Sequence, residues 1–316
     1  MSSQPGICDQ IIPLLTKGEF MKELVVISGK GGTGKTSIVA AFAALAKNAV
    51  LADCDVDAAD LHLVLEPKVR QTNDFSGGKQ ASIITEKCIG CGKCRDMCRF
   101  DAINFNGPAN DVVDKTFTVD PVSCEGCKVC VEFCPADAIE FNDSINGQWF
   151  VSDTRFGPMV HAKLGIAEEN SGKLVTVIRK EAKKIAQEQK KDLLIVDGSP
   201  GIGCPVIASI TASDLVLVVT EPTLSGKHDL ERVAQLTANF GIKTLVCINK
   251  ADINPEMSCS IAEDAGKHGL KVVGKIPYDE AFTKAQIMKA TLIEYTGGDI
   301  SEKVKALWRE VTYELG

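Results

Sequence analysis

Leu24-Val25-Val26-Ile27-Ser28-Gly29-Lys30-Gly31-Gly32-Thr33-Gly34-Lys35-Thr36-Ser37 is the stretch from which the rest of the chain is read. Four apolar β-formers run into a glycine-rich loop, and the loop runs into a helical pattern that starts at Lys35. Gly29 to Thr36 match the Gly-x4-Gly-Lys-Thr spacing of a phosphate-binding loop, in the strand–loop–helix setting that the pattern requires. Glycines let the backbone close around phosphates, and the loop N–H groups and the helix N-terminus stabilise their charge. Lys35 is expected to reach the β- and γ-phosphates and Thr36 to place its hydroxyl on Mg²⁺. A purely structural glycine turn would not need Lys-Thr at its end.

Outward from this loop, short apolar runs alternate with helical patterns. Strands are expected at 24–28, 49–53, 192–197, 215–220, 243–249 and 271–276, and helices at 35–47, 173–190, 227–240 and 257–268. Leu193-Leu194-Ile195-Val196 and Leu215-Val216-Leu217-Val218-Val219 are continuously apolar, as strands covered on both faces are. The pattern predicts an α/β fold, a doubly wound and mostly parallel sheet of the P-loop NTPase type. The segment 299–315 places Ile300, Val304, Leu307, Trp308, Val311 and Leu315 on one helical face. Its polar face mixes both signs of charge, so it reads as a helix closing the core and not as a membrane-surface helix.

The alternation stops between about Leu61 and Lys173, where Gly, Asn, Asp and Cys rise. Inside the break, residues 88–105 and 124–141 repeat one cysteine pattern, each ending in Ala-Ile-x-Phe. The runs are Cys88-x2-Cys91-x2-Cys94-x3-Cys98 and Cys124-x2-Cys127-x2-Cys130-x3-Cys134-Pro135. This is the bacterial ferredoxin spacing, in which the fourth cysteine of each run serves the other cluster. One [4Fe-4S] cluster is assigned to Cys88, Cys91, Cys94 and Cys134, the other to Cys124, Cys127, Cys130 and Cys98. Paired Cys-x2-Cys also holds zinc, but two tandem x2-x2-x3 runs are not a zinc pattern. Arg99 stands where the second run has Pro135, which leaves every ligand in place. The expected organisation is an extension at 1–21, an ATPase domain at 22–60 and 151–316, and an inserted small α+β ferredoxin domain at 61–150.

Of the chain's 316 residues, 45% are hydrophobic, and the net charge is −7, which argues against non-specific nucleic-acid binding. No apolar run approaches the roughly 20 residues that span a bilayer, and the N-terminus lacks the layout of a secretory signal. The reading is a cytoplasmic protein without a stable membrane anchor. Thirteen cysteines in a reducing compartment point to metal rather than disulfides. His161 and His228 belong to no motif.

Lys30-Gly31-Gly32-Thr33-Gly34-Lys35-Thr36, with its early second lysine, resembles the deviant phosphate loop of the MinD/ParA/Mrp ATPases, a family that includes the nitrogenase iron protein. The resemblance implies ATP hydrolysis in a sandwich homodimer, with Lys30 crossing to the partner's nucleotide. Asp53-Cys54-Asp55 resembles the family's Asp-x-Asp, which implies that Asp53 holds Mg²⁺ through its shell and Asp55 positions the attacking water. Asp197, before Gly198-Ser199-Pro200-Gly201, looks like the Walker B carboxylate followed by switch II. Gly29 to Ser37 would cradle the nucleotide, with Asn249 and Pro277 at the base by resemblance alone. Over residues 22–316 the chain looks like MinD-superfamily ATPases that carry a ferredoxin insert. It lacks the late Cys-x-x-Cys of Mrp-type scaffolds, which argues against a scaffold role by that route. The implied function is an ATPase coupling nucleotide state to electron transfer in assembly or transfer of a metal–sulfur cofactor, with a small partner that binds a metal–sulfur cofactor. An ATP-gated electron donor and a MinD-like positioning ATPase are the alternatives. The insert is expected to leave directly after Asp55, at switch I. Cys204, near a helix start, reads first as a small residue packed under a helix, with a metal site shared by two copies across a dimer as the alternative.

Overall fold

The computed structural model describes residues 21–165 and 171–316, so expectations for residues 1–20 lie outside the described residues. The chain opens with β1 (Lys22–Ser28), α1 (Lys35–Leu45), β2 (Ala49–Asp53), α2 (Leu61–Leu65) and β3 (Lys68–Ile83). The middle holds α3 (Lys93–Met97), β4 (Ile103–Gly107), β5 (Thr116–Val119), α4 (Val129–Glu132), β6 (Ile139–Thr154) and β7 (Gly157–Leu164). Then follow α5 (Ser171–Glu188), β8 (Leu193–Pro200), α6 (Cys204–Ile210), β9 (Leu215–Thr220), α7 (Leu224–Asn239) and β10 (Thr244–Asn249). The chain closes with α8 (Pro255–Lys267), β11 (Lys271–Ile276), α9 (Ala281–Ile287), α10 (Leu292–Tyr295) and α11 (Asp299–Leu315).

One sheet runs in the order β11-β10-β9-β1-β8-β2-β7-β6-β3. From β11 to β7 neighbouring strands are parallel; β6 and β3 are antiparallel at one edge. The apolar runs are continuous because both faces are covered. Val25 and Ile27 enter a core with α5, α6, α7 and α8, while Leu24 and Val26 enter the opposite core with α1, α2, α10 and α11. Helix α11 closes the second core through Ile300, Val304, Leu307 and Val311, and its Trp308 ring lies 4.8 Å from that of Phe42.

The strands expected from the sequence appear within a few residues of their places, but β3, β6 and β7 were not expected. Strands β3 and β6 form a long ribbon that leaves the sheet, with mostly polar or half-exposed residues on both faces and glycines within it. Neither apolar continuity nor clean alternation marks such a strand. Helix α2 also departs from expectation. The sequence places residues from Leu61 onward in the insert, but Leu61, Val64 and Leu65 are buried in the core shared with α1 and α11. Arg155 fixes it there, donating to the carbonyls of Val64 (3.1 Å), Leu65 (2.9 Å) and Lys289 (3.1 Å) while pairing with Glu294. The chain therefore returns to the body after Asp55 and leaves it only along the ribbon, not at residue 61.

On β7, His161 is buried, with Nε2 2.9 Å from Ser152 Oγ and its ring stacked near Phe150 and His62. Burial, with a smaller contribution from His62, lowers its pKa from 6.5 to about 4. The unfolded imidazole takes up a proton near pH 6.5, and the folded one only near 4. Stability present above pH 6.5 is therefore lost progressively as pH falls towards 4, by about 3 kcal/mol at most. Urea midpoints at pH 7 and pH 4.5 test this: His161→Gln should flatten the loss, and an unchanged pH slope would contradict it.

Candidate functional site

The phosphate loop lies between β1 and α1, at the C-terminal edge of the parallel sheet, where α/β folds place ligands. Gly32 (φ 79°) and Gly34 (φ 88°) are left-handed, so both turns favour glycine. At Gly34 a Cβ would also stand 2.4 Å from Asn249 Nδ2. Asn249, ending β10, donates from Nδ2 to the Thr33 carbonyl at 2.7 Å, while its Oδ1 is buried without a partner. A cavity of about 400 Å³ collects Gly31 to Ser37, Asp55, Pro200, Asn249 and Pro277. Tyr278, Phe282 and Gln286 complete its far wall, and Gln286 Nε2 donates to Ser37 Oγ at 2.9 Å. Tyr278 directly follows Pro277, whereas Phe282 and Gln286 lie outside every stretch singled out in the sequence. They carry no motif, and the only signal was their place just after the last strand's C-terminal edge.

Behind the loop, Lys35 is buried among carboxylates. Its Nζ lies 2.5 Å from Asp197 Oδ1 and 3.2 Å from Asp55 Oδ2. Burial alone would lower its pKa, but Asp197 and Asp55 outweigh burial and leave it raised. Asp53, fully buried, is pushed well up by burial and then by Asp197. Asp55 is also raised, chiefly by burial. Asp53 Oδ2 and Asp197 Oδ2 have no hydrogen-bond partner. Three carboxylates around one ammonium, two of them with an orphaned oxygen, form a donor set suited to a hard divalent cation. The ends of β2 and β8 are tied together there: Cys54 N–H donates to the Asp197 carbonyl at 2.8 Å, and Ser199 Oγ to that of Cys54 at 2.7 Å.

Gly29 and Lys30 stand outside the cavity lining. A Cβ on Gly29 would lie 2.3 Å from Asp229 Cβ, so the loop's first residue is pressed against α7. Lys30 Nζ lies 2.7 Å from Glu221 and bonds Thr223 and Ser225 at 3.2 and 2.9 Å. Glu221 also pairs with Lys250, whose Nζ donates to the Gly32 carbonyl at 3.0 Å. Burial would raise the Glu221 pKa, but the two lysines hold it lowered.

The cysteines form two sets at the far end of the ribbon. Cys88, Cys91, Cys94 and Cys134 line one cavity with Ile83, Phe117 and Ile139. Cys98, Cys124, Cys127 and Cys130 line another with Ala81, Phe100 and Phe141. The fourth cysteine of each run thus joins the other run's three. Gly90, Gly92 and Asp101 in the first run, and Gly126, Lys128 and Asp137 in the second, take left-handed backbone at equivalent places. Among the described residues no three His, Cys, Asp or Glu side chains converge as a site for a single metal ion; the cysteines surround cavities instead. Cys204, at the start of α6, is exposed. No helix among the described residues is long and apolar enough to cross a membrane.

Residues 24–292 match the CobQ/CobB/MinD/ParA nucleotide binding domain. The relative named Uncharacterized protein MJ0578, from Methanocaldococcus jannaschii, is 34% identical over 297 residues, covering 93% of this chain and 97% of its own. The septum site-determining protein MinD from Pyrococcus horikoshii, solved with Mg-ADP, aligns with a TM-score of 0.53 at 16% identity, covering 92% of this chain and 96% of that one. A chain of the MinC:MinD cell division complex from Aquifex aeolicus aligns at 0.55 and 16% identity, with 92% and 96% covered. At such identities the two solved structures speak for the fold alone. The match over most of the chain and the phosphate-loop geometry lead to one conclusion: the protein belongs to the CobQ/CobB/MinD/ParA nucleotide-binding family and is an ATP-binding P-loop ATPase.

Proposed function

We propose that this ATPase is an iron–sulfur protein that couples its nucleotide state to electron transfer in the assembly or transfer of a metal–sulfur cofactor. The observation that carries the reading is the repeated cysteine cradle, two quartets each lining its own cavity. Left-handed residues recur between successive cysteines, and backbone that alternates in this way forms N–H nests of the kind that suit anionic iron–sulfur groups. The arm's core supports it too. Its buried apolar residues are Ala81, Cys88, Cys94, Ile103, Phe117, Cys130, Ala138 and Ile139, so cysteines supply much of it. A core that small needs staples. The arm is then an inserted ferredoxin-like domain, and two [4Fe-4S] clusters would supply one-electron chemistry.

In the nucleotide domain, Gly31 to Ser37 would hold the phosphates, with Asn249 and Pro277 at the base. ATP phosphates compete with Asp55 and Asp197 for Lys35. Once Lys35 turns to the phosphates, Asp55 is free to orient the attacking water, and Thr36, Asp53 and Asp197 are free to hold Mg²⁺ directly or through its water shell. Lys30 is tethered to Glu221 within one chain. In an ATP-sandwich homodimer it would exchange that tether for the partner's nucleotide, and this gives a prediction. With a non-hydrolysable ATP analogue, the wild type should run as a dimer in light scattering and Lys30→Ala as a monomer, with hydrolysis lowered at least about tenfold. A Lys30→Ala dimer would contradict the assignment.

Anaerobic reconstitution tests the cluster reading. About eight irons per chain and the spectra of two interacting [4Fe-4S] centres are expected. Cys134→Ser should remove the centre held by Cys88, Cys91 and Cys94. A chain that takes up zinc in preference to iron, or a Cys134→Ser variant that disturbs only the second run, would overturn it. Whether ATP turnover accompanies electron delivery or release of a metal–sulfur group to an apo-acceptor then separates the proposal from a simple electron donor.

A further inference from the structure

The ribbon carrying the cysteines leaves the sheet at one place. Strand β7 pairs with β6 as far as Gly147, opposite Leu164. Beyond that only β3 and β6 remain, a two-stranded ribbon with little stability of its own. At this exit the β3–β6 register breaks twice, between Phe75 and Ser76 and between Ser76 and Gly78. Gly77 sits in the bulge without a ladder partner. Its N–H donates instead to Asn146 Oδ1 at 2.8 Å, and its carbonyl accepts from Lys173 Nζ at 2.8 Å. A bulge is where a ribbon bends, so these two side chains hold the bend.

Lys173 lies in the first turn of α5. Its neighbour Gly172 is packed on the backbone of Cys204, where a Cβ would meet the Cys204 carbonyl carbon at 3.3 Å. The next residues, Leu174 and Val175, are buried with Val206, Cys54, Val56 and Phe75. Cys204 in turn follows Gly201-Ile202-Gly203, the segment after Pro200, and Pro200 lines the nucleotide cavity. Gly201 is left-handed (φ 93°) and donates to the Ser28 carbonyl at 2.8 Å, so this segment rests on the end of β1, just before the phosphate loop. An unbroken series of contacts thus runs from the nucleotide cavity through the loop after Asp197 and the first turn of α5 to the bend in the ribbon. The route expected from sequence, directly after Asp55, is instead immobilised by α2 and Arg155.

We propose that Lys173 is a positioning residue: its grip on Gly77 transmits the state of the loop after Asp197 to the arm and sets the angle at which the arm is held. The second cysteine set is nearest to the grip. Gly126 abuts the carbonyl of Lys79, two residues past Gly77, and its cavity is lined by Ala81 and Phe141, whereas the first set lies further out at Ile83 and Ile139. What the arm carries rests on the proposed function; the grip itself does not. Because the contacts are contiguous, both ends of the series should respond together.

Hydrogen–deuterium exchange tests this on the full chain with its metal in place, with Mg-ADP and with a non-hydrolysable Mg-ATP analogue. In the wild type, exchange over residues 73–79 and 142–148 should differ at least about fivefold between the two nucleotides. Lys173→Ala should abolish the difference, and Lys173→Arg should restore it. Steady-state ATP hydrolysis and the thermal midpoint of Lys173→Ala should stay near wild type. A ribbon that ignores the nucleotide in the wild type, or one that still responds fully in Lys173→Ala, would overturn the proposal. Iron content and electron paramagnetic resonance of the same samples report separately on the cluster reading, so the two can fail independently.

Discussion

Lys35→Met should lower ATP hydrolysis by about 10²–10³-fold, the usual cost of removing one preorganised charge-stabilising group from a phosphoryl-transfer site. The same change should destabilise the fold. Lys35 is the cation buried between Asp55 and Asp197, with Asp53 beside them. Methionine fills a similar volume but leaves three carboxylates without a counter-charge, and breaking a buried pair in this way costs about 3–5 kcal/mol. A divalent cation can replace the missing charge. Mg²⁺ should therefore raise the melting temperature of Lys35→Met more than that of the wild type, because a ligand that binds only the folded state stabilises it. Phosphate release and thermal melts with and without Mg²⁺ check both halves. Turnover above a tenth of wild type, or Mg²⁺ effects equal in both chains, would show that Lys35 does not play this part.

Gly126→Ala carries the second large effect, confined to the arm. Gly126 has φ 60°, and an added Cβ would stand 2.2 Å from the Lys79 carbonyl oxygen. That oxygen belongs to the ribbon backbone, so no rotamer relieves the contact. The loop holding Cys124 and Cys127 must move off the ribbon, and left-handed alanine adds about 1–2 kcal/mol of its own. On the proposed cluster reading, iron bound per chain should fall to about half, with ADP affinity in calorimetry unchanged. Gly92→Ala is the control. Gly92 has a similar φ of 78°, but the nearest atom to its Cβ would be Phe117 Cζ at 3.7 Å. That variant should keep most of its iron. Full iron content in Gly126→Ala would mean that the second run does not depend on its seat against Lys79.

What could be read from the sequence was whatever depends on near neighbours in the chain. The phosphate loop is contiguous, and so are the apolar strands that both helical layers cover. Lys35 belongs to that loop, and Asp55 and Asp197, near the C-terminal ends of such strands, could be singled out by their resemblance to the family's carboxylates. The cysteine runs were legible as a repeat, and their exchange of fourth cysteines followed from known spacing rather than from anything local. The ribbon was not legible. Its strands are solvated along most of their length, so the apolar signal that marks a strand is missing, and their pairing joins residues as distant as Lys68 and Asp153. The tether of Lys30 to Glu221 and the grip of Lys173 on Gly77 were equally hidden, because each joins residues far apart in the chain and only the fold brings them together.

The place of the cysteine-bearing arm also bears on how such a chain could have arisen. The arm enters through β3 and returns through β6, and these are hydrogen-bonded neighbours at the rim of the sheet. A short turn joining the same two strands would leave every other strand with the neighbours it has now. A whole domain can therefore be grafted onto, or trimmed from, the tip of this hairpin without opening a gap in the parent sheet. The two ends of the graft already lie side by side, so little chain entropy is spent in bringing them together. Seen this way, the ribbon is a mounting point, and the residues at its base, Gly77, Asn146 and Lys173, are the ones a different passenger would also have to satisfy.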